Sequence, residues 1–418
     1  MRVFAVWASR RNPGWLVARL GTLVALGLLA CVLFGFALVS RRIEGSIVTA
    51  PMLFVSAGLI AGWTGLLDFG AATHGGAESR EVVFVVAELA LVLLLFSGAA
   101  RIDPRTLGGN PLPWRLLGIG LPLTIGLGAV LALVVLTELE PWECAIVAAV
   151  LAPTDAALGQ AVFSSDALPL KVRQGLNVES GLNDGGSVPF LTLFIALAAA
   201  EEGIDGGWLQ FTLEQIGYGA LIGGAAGAAG GLALRRAVAA GWTRGIFEQL
   251  GLAAVAVIAW VAADEVGGNG FIAAFVGGGA AGVAAGALRE RVLQFTEEEG
   301  EVLNLAVFFI FGVFAADALS AATWPMLAYG LLSLTVIRML PVAVALLGLG
   351  LRAPTVAFVG WFGPRGLASI ILAMVVIEEQ PELAGIEPIF VVVTVTVLLS
   401  VFAHGISAAP LTRRYGRR

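Results

Sequence analysis

Apolar runs of about 20 residues, the length an α-helix needs to cross the hydrocarbon core of a bilayer, recur along the whole chain between charged residues, prolines and glycine clusters. Thirteen can be marked, at about 20–40, 46–67, 82–100, 117–137, 144–163, 175–200, 211–234, 249–263, 270–287, 301–316, 324–351, 355–377 and 388–411. The first is too long and begins too late for a cleaved signal sequence, and no small-residue cleavage site follows it, so it is read as a retained span. The expected fold class is an all-α membrane protein with about 13 transmembrane helices. Residues 1–418 are then expected to form a single integral membrane domain with no soluble regulatory domain.

Composition strengthens this reading. Of 418 residues, 58% are hydrophobic and 13% charged, with a mean hydropathy of +0.93, against roughly 25% charged in an average soluble domain. An ordinary soluble enzyme is excluded. Cys31 and Cys144 lie inside apolar runs, which excludes a disulfide framework or a thiolate metal site. Lys171 is the only lysine beside 23 arginines, a usage that points to a GC-rich bacterial gene.

Loop charges set an orientation, because basic loops stay cytoplasmic. One set of alternating loops holds 17 basic residues, among them Arg41, Arg42, Arg101, Arg115, Lys171, Arg173, Arg235, Arg236 and the C-terminal Arg413, Arg414, Arg417 and Arg418. The opposite loops hold Arg80 and the acidic pairs Glu138/Glu140, Glu201/Glu202, Asp264/Glu265 and Glu378/Glu379. The C-terminus is therefore expected in the cytoplasm of a bacterial inner membrane. Thirteen spans place the N-terminus outside, against its own Arg2, Arg10, Arg11 and Arg19.

Leaving aside Glu214 and Glu301 at span ends, six charges remain inside the spans: Glu88, Asp155, Glu179, Asp184, Arg338 and Arg365. A central Asp or Arg is disfavoured by about 2.5–3.5 kcal/mol, so such groups face a cavity or a partner and mark an ion or proton path. Three of the acids fall in two consecutive spans. In AAVLAPTDAALGQ, Pro153 removes a backbone donor and opens the helix just before Thr154 and Asp155. In GLNVESGLNDGG, the pairs Glu179/Asn183 and Ser180/Asp184 are four apart and share one polar face. Hard oxygen ligands with one or two carboxylates, and no histidine or thiol, suit a dehydrated monovalent cation. Desolvation favours the neutral form of a carboxyl group, so one carboxylate can hold either the cation or a proton, but not both.

The second half carries a matching break. WFGPRGLAS interrupts the twelfth span at Gly363 and Pro364, next to Arg365. Spans 5 and 12 are seven apart and run in opposite directions, the arrangement of inverted-topology repeats whose broken helices meet at the substrate. Two inverted six-helix repeats with broken crossing helices are expected. Arg365 and Arg338 are the cations available to offset buried acids, with Arg365 expected to pair with Glu179 and Asp184 left as the carrier.

The pieces APTDAAL, NVESGLNDG, an arginine in LTVIRML and GPRGLAS resemble the sodium/proton exchanger branch of the monovalent cation:proton antiporters. ESGLND is the specific part. The resemblance implies a homodimer with a mobile core domain (about 82–200 and 301–411) and a scaffold formed by the remaining helices, and electroneutral exchange of one Na⁺ for one H⁺ associated with Asn-Asp. It implies Asp184 as the ion- and proton-binding carboxylate, Asn183 as its neighbour, Ser180 and Thr154 as ligands, Asp155 beside Thr154, and Glu179 with Arg365 as an internal ion pair. Arg338 matches a second arginine of the family. Many relatives read TDP where this chain has Thr154-Asp155-Ala156, so unwinding here rests on Pro153. No cofactor is implied beyond the transported Na⁺ or K⁺ and H⁺. The expected partners are those ions, membrane lipids and a second copy, with no nucleic acid.

The same residues admit other readings. K⁺ or Li⁺ in place of Na⁺ uses the same ligand types. An intramembrane aspartyl protease would need Asp155 and Asp184 as a pair, yet Gly181-Leu182-Asn183-Asp184 lacks one glycine of the expected context and no Pro-Ala-Leu motif follows. A cation channel fits paired broken helices less well than alternating access does. The glycine stretches at 223–231 and 277–286 are read as close helix packing, Glu88 as an interfacial or packing charge, and His74 and His404 as too far apart in sequence for a metal pair.

Overall fold

The computed structural model describes residues 13–43, 46–67, 77–102, 110–155, 158–159, 162, 168–201, 207–286, 289–380 and 383–416. His74 lies outside them. Among the described residues every regular element is helical. In chain order they are α1 (Pro13–Ile43), α2 (Ala50–Trp63), α3 (Ala77–Ala100), α4 (Leu112–Val135), α5 (Pro141–Val150), α6 (Leu170–Glu201) and α7 (Trp208–Ala239). They continue as α8 (Ile246–Asp264), α9 (Gly270–Ala285), α10 (Arg289–Ala318), α11 (Trp324–Ala345), α12 (Ala353–Trp361), α13 (Leu367–Glu379) and α14 (Ile386–Gly416). Each apolar run of the sequence overlaps one of these helices, or two in the case of the twelfth.

Among the described residues eight helical stretches are long and apolar enough to cross a membrane, and shorter apolar helices such as Ala50–Trp63 and Gly270–Ala285 accompany them. The outer surface matches a lipid solvent. Leu26, Phe34 and Leu38 of α1, Leu213 and Leu221 of α7, and Ile258 and Val261 of α8 are exposed, which in water would be a large uncovered apolar patch. Trp63, Trp242 and Trp324 are exposed at the ends of α2, α7 and α11, as expected of indole rings at the level of the lipid headgroups.

Some boundaries differ from the sequence reading. Helix α10 begins at Arg289 rather than near 301, and α11 ends at Ala345 rather than near 351. Arg115 accounts for part of the second difference, because its guanidinium bonds the carbonyls of Ala345 and Leu347 and satisfies the end of that helix.

The glycine stretches are packing surfaces. Gly223, Gly227 and Gly231 of α7 lie against the backbone of Ala273, Gly277 and Ala281 of α9, and α9 in turn lays Gly278 and Gly282 on the carbonyls of Phe96 and Ala100 in α3. Any side chain at these positions would separate the helices. Gly98 of α3 meets Gly181 of α6 in the same way, which draws the end of α3 onto the polar face of α6. At the centre, α13 is buried on every side from Leu367 to Ile377, as a helix apolar all round must be.

Candidate functional site

Helix α5 starts from a reciprocal cap. Glu140 N–H donates to Glu143 Oε2 at 2.9 Å, Pro141 opens the first turn, and the other Glu143 oxygen accepts Gly385 N–H at 2.6 Å. The helix stops at Val150, and the segment through Pro153, Thr154 and Asp155 is not helical. Helix α12 likewise stops at Trp361 and α13 resumes at Leu367. The two breaks cross each other: Asp155 N–H donates to Pro364 O at 2.7 Å, and Asp155 Oδ2 accepts Leu367 N–H at 2.8 Å.

Asp155 is thus the N-terminal cap of α13, with its other carboxylate oxygen 3.3 Å from Leu158 N. An anion there also complements the positive end of the α13 dipole. Gly366 makes the approach possible: a Cβ at that position would run into the Asp155 carboxylate. Both Asp155 oxygens are occupied by backbone donors, although the residue still borders the cavity described below.

Helix α6 brings its polar face against the α5 break. Asn183 Nδ2 donates to Thr154 Oγ1 at 2.6 Å and to Glu179 Oε1 at 3.0 Å, and its Oδ1 accepts Thr154 N–H at 3.2 Å. Ser180 donates to the Thr154 carbonyl, and its Oγ is 3.4 Å from Thr154 Oγ1. All of these residues are almost fully buried. Asn183 therefore acts as a strut between the helices in this conformation, with its oxygen engaged by backbone, rather than as an open ligand. The spacing of Glu179 and Asn183 on one helical face gave the right contact, since the two are hydrogen-bonded.

The expected Glu179–Arg365 pair is not formed. Glu179 is held by Arg338 of α11, Nη1 to Oε1 at 2.9 Å and Nη2 to Oε2 at 3.0 Å. Arg365, which is 0% exposed, donates instead to the carbonyls of Ala152 and Pro153, the latter at 2.9 Å. Those are the carbonyls that the α5 break frees from helical bonding. Arg365 thus satisfies the broken helix of the opposite half, and Gly363 leaves room for Arg338, whose guanidinium occupies the place a Cβ would take.

Asp184 lies one turn beyond Ser180. Its Oδ1 is buried without a hydrogen-bond partner among the described residues, which no polar atom tolerates cheaply in a dry interior. It forms the end wall of a cavity of about 190 Å³ that also touches Asp155, Ser180 and Leu367. From there the cavity runs along α6 past Gly181, Asn177 and Gln174 toward Arg101 and Asn110, near the basic start of α6 at Lys171 and Arg173. Sequence reasoning missed Ser97, Asn177 and Asn304, which border this space; Asn304, 5% exposed at the start of the apolar stretch of α10, was a visible signal. Glu88 does not border the cavity and has Glu378 and Asp264 as charged neighbours.

The chemistry available in the cavity wall is the Ser180 hydroxyl and the carboxylates of Asp155 and Asp184, while Thr154, hydrogen-bonded to Asn183 and Ser180, adjoins Ser180 without lining the cavity. Groups of three or more His, Cys, Asp or Glu side chains able to hold a metal are absent among the described residues. Such a set suits a monovalent ion better than a transition metal.

The chain is 27% identical over 402 residues to the K(+)/H(+) antiporter NhaP of Alkalimonas amylolytica, covering 94% of this chain and 66% of that protein. It is 26% identical over 373 residues to the K(+)/H(+) antiporter NhaP2 of Shewanella sp. (strain ANA-3), covering 87% of this chain and 62% of that one. The chain thus spans less than two thirds of the length of these curated relatives. Among solved structures it resembles the sodium proton antiporter MjNhaP1 from Methanocaldococcus jannaschii at pH 8, with a TM-score of 0.75 at 19% identity over 95% of this chain and 99% of that one. An electron-microscopy structure of MjNhaP1 gives a TM-score of 0.71, again at 19% identity, over 94% and 97% of the two chains. Residues 14–414 match the family of transmembrane sodium/hydrogen exchangers, and with almost the whole chain inside that match the protein belongs to this family of membrane transporters.

Proposed function

We propose that this protein exchanges a monovalent cation for a proton across a bacterial inner membrane, with Asp184 binding the two in alternation. The observation that carries the proposal is the unpartnered Asp184 oxygen, buried in the wall of a cavity that Asp155 and Ser180 also line; Thr154, hydrogen-bonded to Ser180, is read as a further ligand. A group that needs a partner and has none in the protein is satisfied by a proton or by a cation. Asp155 borders the same site and acts mainly by holding the second crossing helix in place. Asn183 is neutral and engaged, which leaves one titrating carrier and favours one-for-one, electroneutral exchange.

The cation is Na⁺ in this reading, in keeping with the family and with MjNhaP1, a sodium proton antiporter; K⁺ is the second reading, favoured by the names of the relatives from Alkalimonas and Shewanella. The cavity runs toward the basic loops, so the conformation is read as open to the cytoplasm, with the C-terminus on that side and the N-terminus outside. Thirteen spans, two inverted six-helix repeats, a core of about 82–200 and 301–411 moving against the remaining scaffold helices, and a homodimer complete the proposal. The crossing of two broken helices through Asp155 and Pro364 supports the repeat arrangement.

Proteoliposomes holding a pH gradient test this directly. Addition of Na⁺, K⁺ or Li⁺ is expected to collapse the gradient with wild-type protein for at least one of them, and for none with Asp184→Ala. Exchange that survives in folded Asp184→Ala would remove the carrier from the mechanism. Cation flux without counter-movement of protons would favour a channel.

A further inference from the structure

Helix α12 ends at Trp361, and the last carbonyls of a helix lack partners within it. The Trp361 carbonyl finds one on α14: His404, 1% exposed, places Nε2 2.9 Å from it. One turn earlier on α14, Ser400 lies with Oγ 3.1 Å from His404 Nδ1, and that Oγ accepts the backbone N–H of Arg365 at 2.6 Å. Nδ1 is also 3.0 Å from the Ser400 carbonyl. A continuous set of contacts therefore runs from the last helical residue before the break, through two side chains of α14, to Arg365 within it. The Trp361 ring strengthens the same grip, with Nε1 donating to Ser407 Oγ at 2.9 Å and the two rings 5.1 Å apart.

What this clamp holds leads straight to the site. Beyond Ser400, Arg365 reaches across to the Ala152 and Pro153 carbonyls, and Pro364 O accepts Asp155 N–H. Thr154 lies between these anchored residues. A shift of the 362–366 segment would carry Thr154 with it, away from Ser180 and Asn183.

We propose that His404 is a positioning residue of the transport site: through its Nε2–H bond to the Trp361 carbonyl and its contact with Ser400 it fixes the start and the interior of the break between α12 and α13, and so places Thr154 for the cation. The proposal rests on the reading of Asp184 and Thr154 as the cation site. Nε2 faces an oxygen that can only accept, so it carries hydrogen. Nδ1 has the Ser400 hydroxyl or carbonyl as partner whether or not it is protonated. A neutral ring with its hydrogen on Nδ1 alone is therefore incompatible with the clamp.

His404→Gln and His404→Phe separate positioning from packing. Glutamine keeps an N–H donor within reach of the Trp361 carbonyl but loses the ring, whereas phenylalanine keeps the ring and loses the donor. In the proteoliposome assay the half-saturating cation concentration is expected to rise about fivefold in His404→Phe and to stay within about twofold of wild type in His404→Gln, with rates at saturating cation changed by less than about twofold in both. Unchanged half-saturation in both variants, or phenylalanine outperforming glutamine, would overturn the proposal.

A measurement that leaves His404 intact covers the case in which His404→Phe does not fold. His74 is the only other histidine, so ¹⁵N-histidine-labelled His74→Gln protein in lipid reports His404 alone. Hydrogen on Nε2 is the expected signature, and a neutral ring protonated only on Nδ1 overturns the clamp. Asp184→Asn measured alongside keeps the two readings apart. If it still exchanges, the transport assignment fails; if it is inactive and the His404 variants show no shift, only the clamp fails.

Discussion

Glu179 and Arg338 meet in a two-pronged ion pair, 2.9 and 3.0 Å long, with both side chains 2% exposed. Two charges from helices far apart in sequence neutralise each other in a place where neither could stay alone. Because Glu179 also accepts from Asn183, the pair anchors the polar face of α6 on which Asp184 sits.

Breaking such a pair leaves one charge buried and uncompensated, a loss of about 3–5 kcal/mol. Glu179→Ala and Arg338→Ala are each expected to lower stability by that order, and the double variant by little more than either alone. Unfolding of the purified single and double variants measures the coupling. Fully additive losses, or stronger coupling of Glu179 to Arg365 than to Arg338, would contradict the pairing.

If one carboxylate serves both ions, protons compete with the cation. Lowering the pH should raise the half-saturating cation concentration by about tenfold per unit wherever Asp184 is largely protonated in the absence of cation, because the ligand must be deprotonated to bind. Initial rates of exchange at several pH values provide the slope. A half-saturation independent of pH across the active range would mean that cation and proton use different groups.

Asp155 caps α13 through Leu367 N–H. Asp155→Ala is expected to lose about 1 kcal/mol of stability, as removal of a helix cap does, while Asp155→Asn, which keeps one side-chain acceptor, should lose less. Thermal unfolding of both variants decides this, and equal damage in the two would show that the negative charge, not the cap, is what matters.

Asn183→Asp replaces a donor by an acceptor beside Glu179. It forfeits the bonds to Thr154 and Glu179 and sets two carboxylates against each other, so a stability loss of about 2 kcal/mol or more is expected. In protein that still folds, a second titrating group should make exchange respond to membrane potential. Exchange that stays indifferent to an imposed potential would show that the Asn183–Asp184 pair does not set the charge balance.

Much of the site was readable from local chemistry. Pro153 and the Gly363-Pro364 pair interrupt helices because a missing N–H and a missing Cβ act within a turn of their own position. Asn183 and Glu179 are four apart, and helix geometry alone brings them into contact. The polar residues at the cavity wall were harder: Asn177 and Asn304 carry no charge, and a lone amide in an apolar run does not say which helix it faces.

The choice of partner for Glu179 shows where local reasoning ends. Two arginines were available in two different spans, and nothing in either segment ranks them; only the tertiary arrangement brought Arg338 of α11 within 3 Å of Glu179 and sent Arg365 to the carbonyls of the other broken helix. The same holds for Asp155, whose partner is a backbone N–H of a helix more than 200 residues away, and for His404. Apolar runs, helix breaks and the presence of buried charge are properties of short segments in a lipid solvent, so the amino-acid sequence by itself determined them. Which charge meets which, and which oxygen of Asp184 is left without a partner, depends on how distant helices cross, and that was decided only by the tertiary structure.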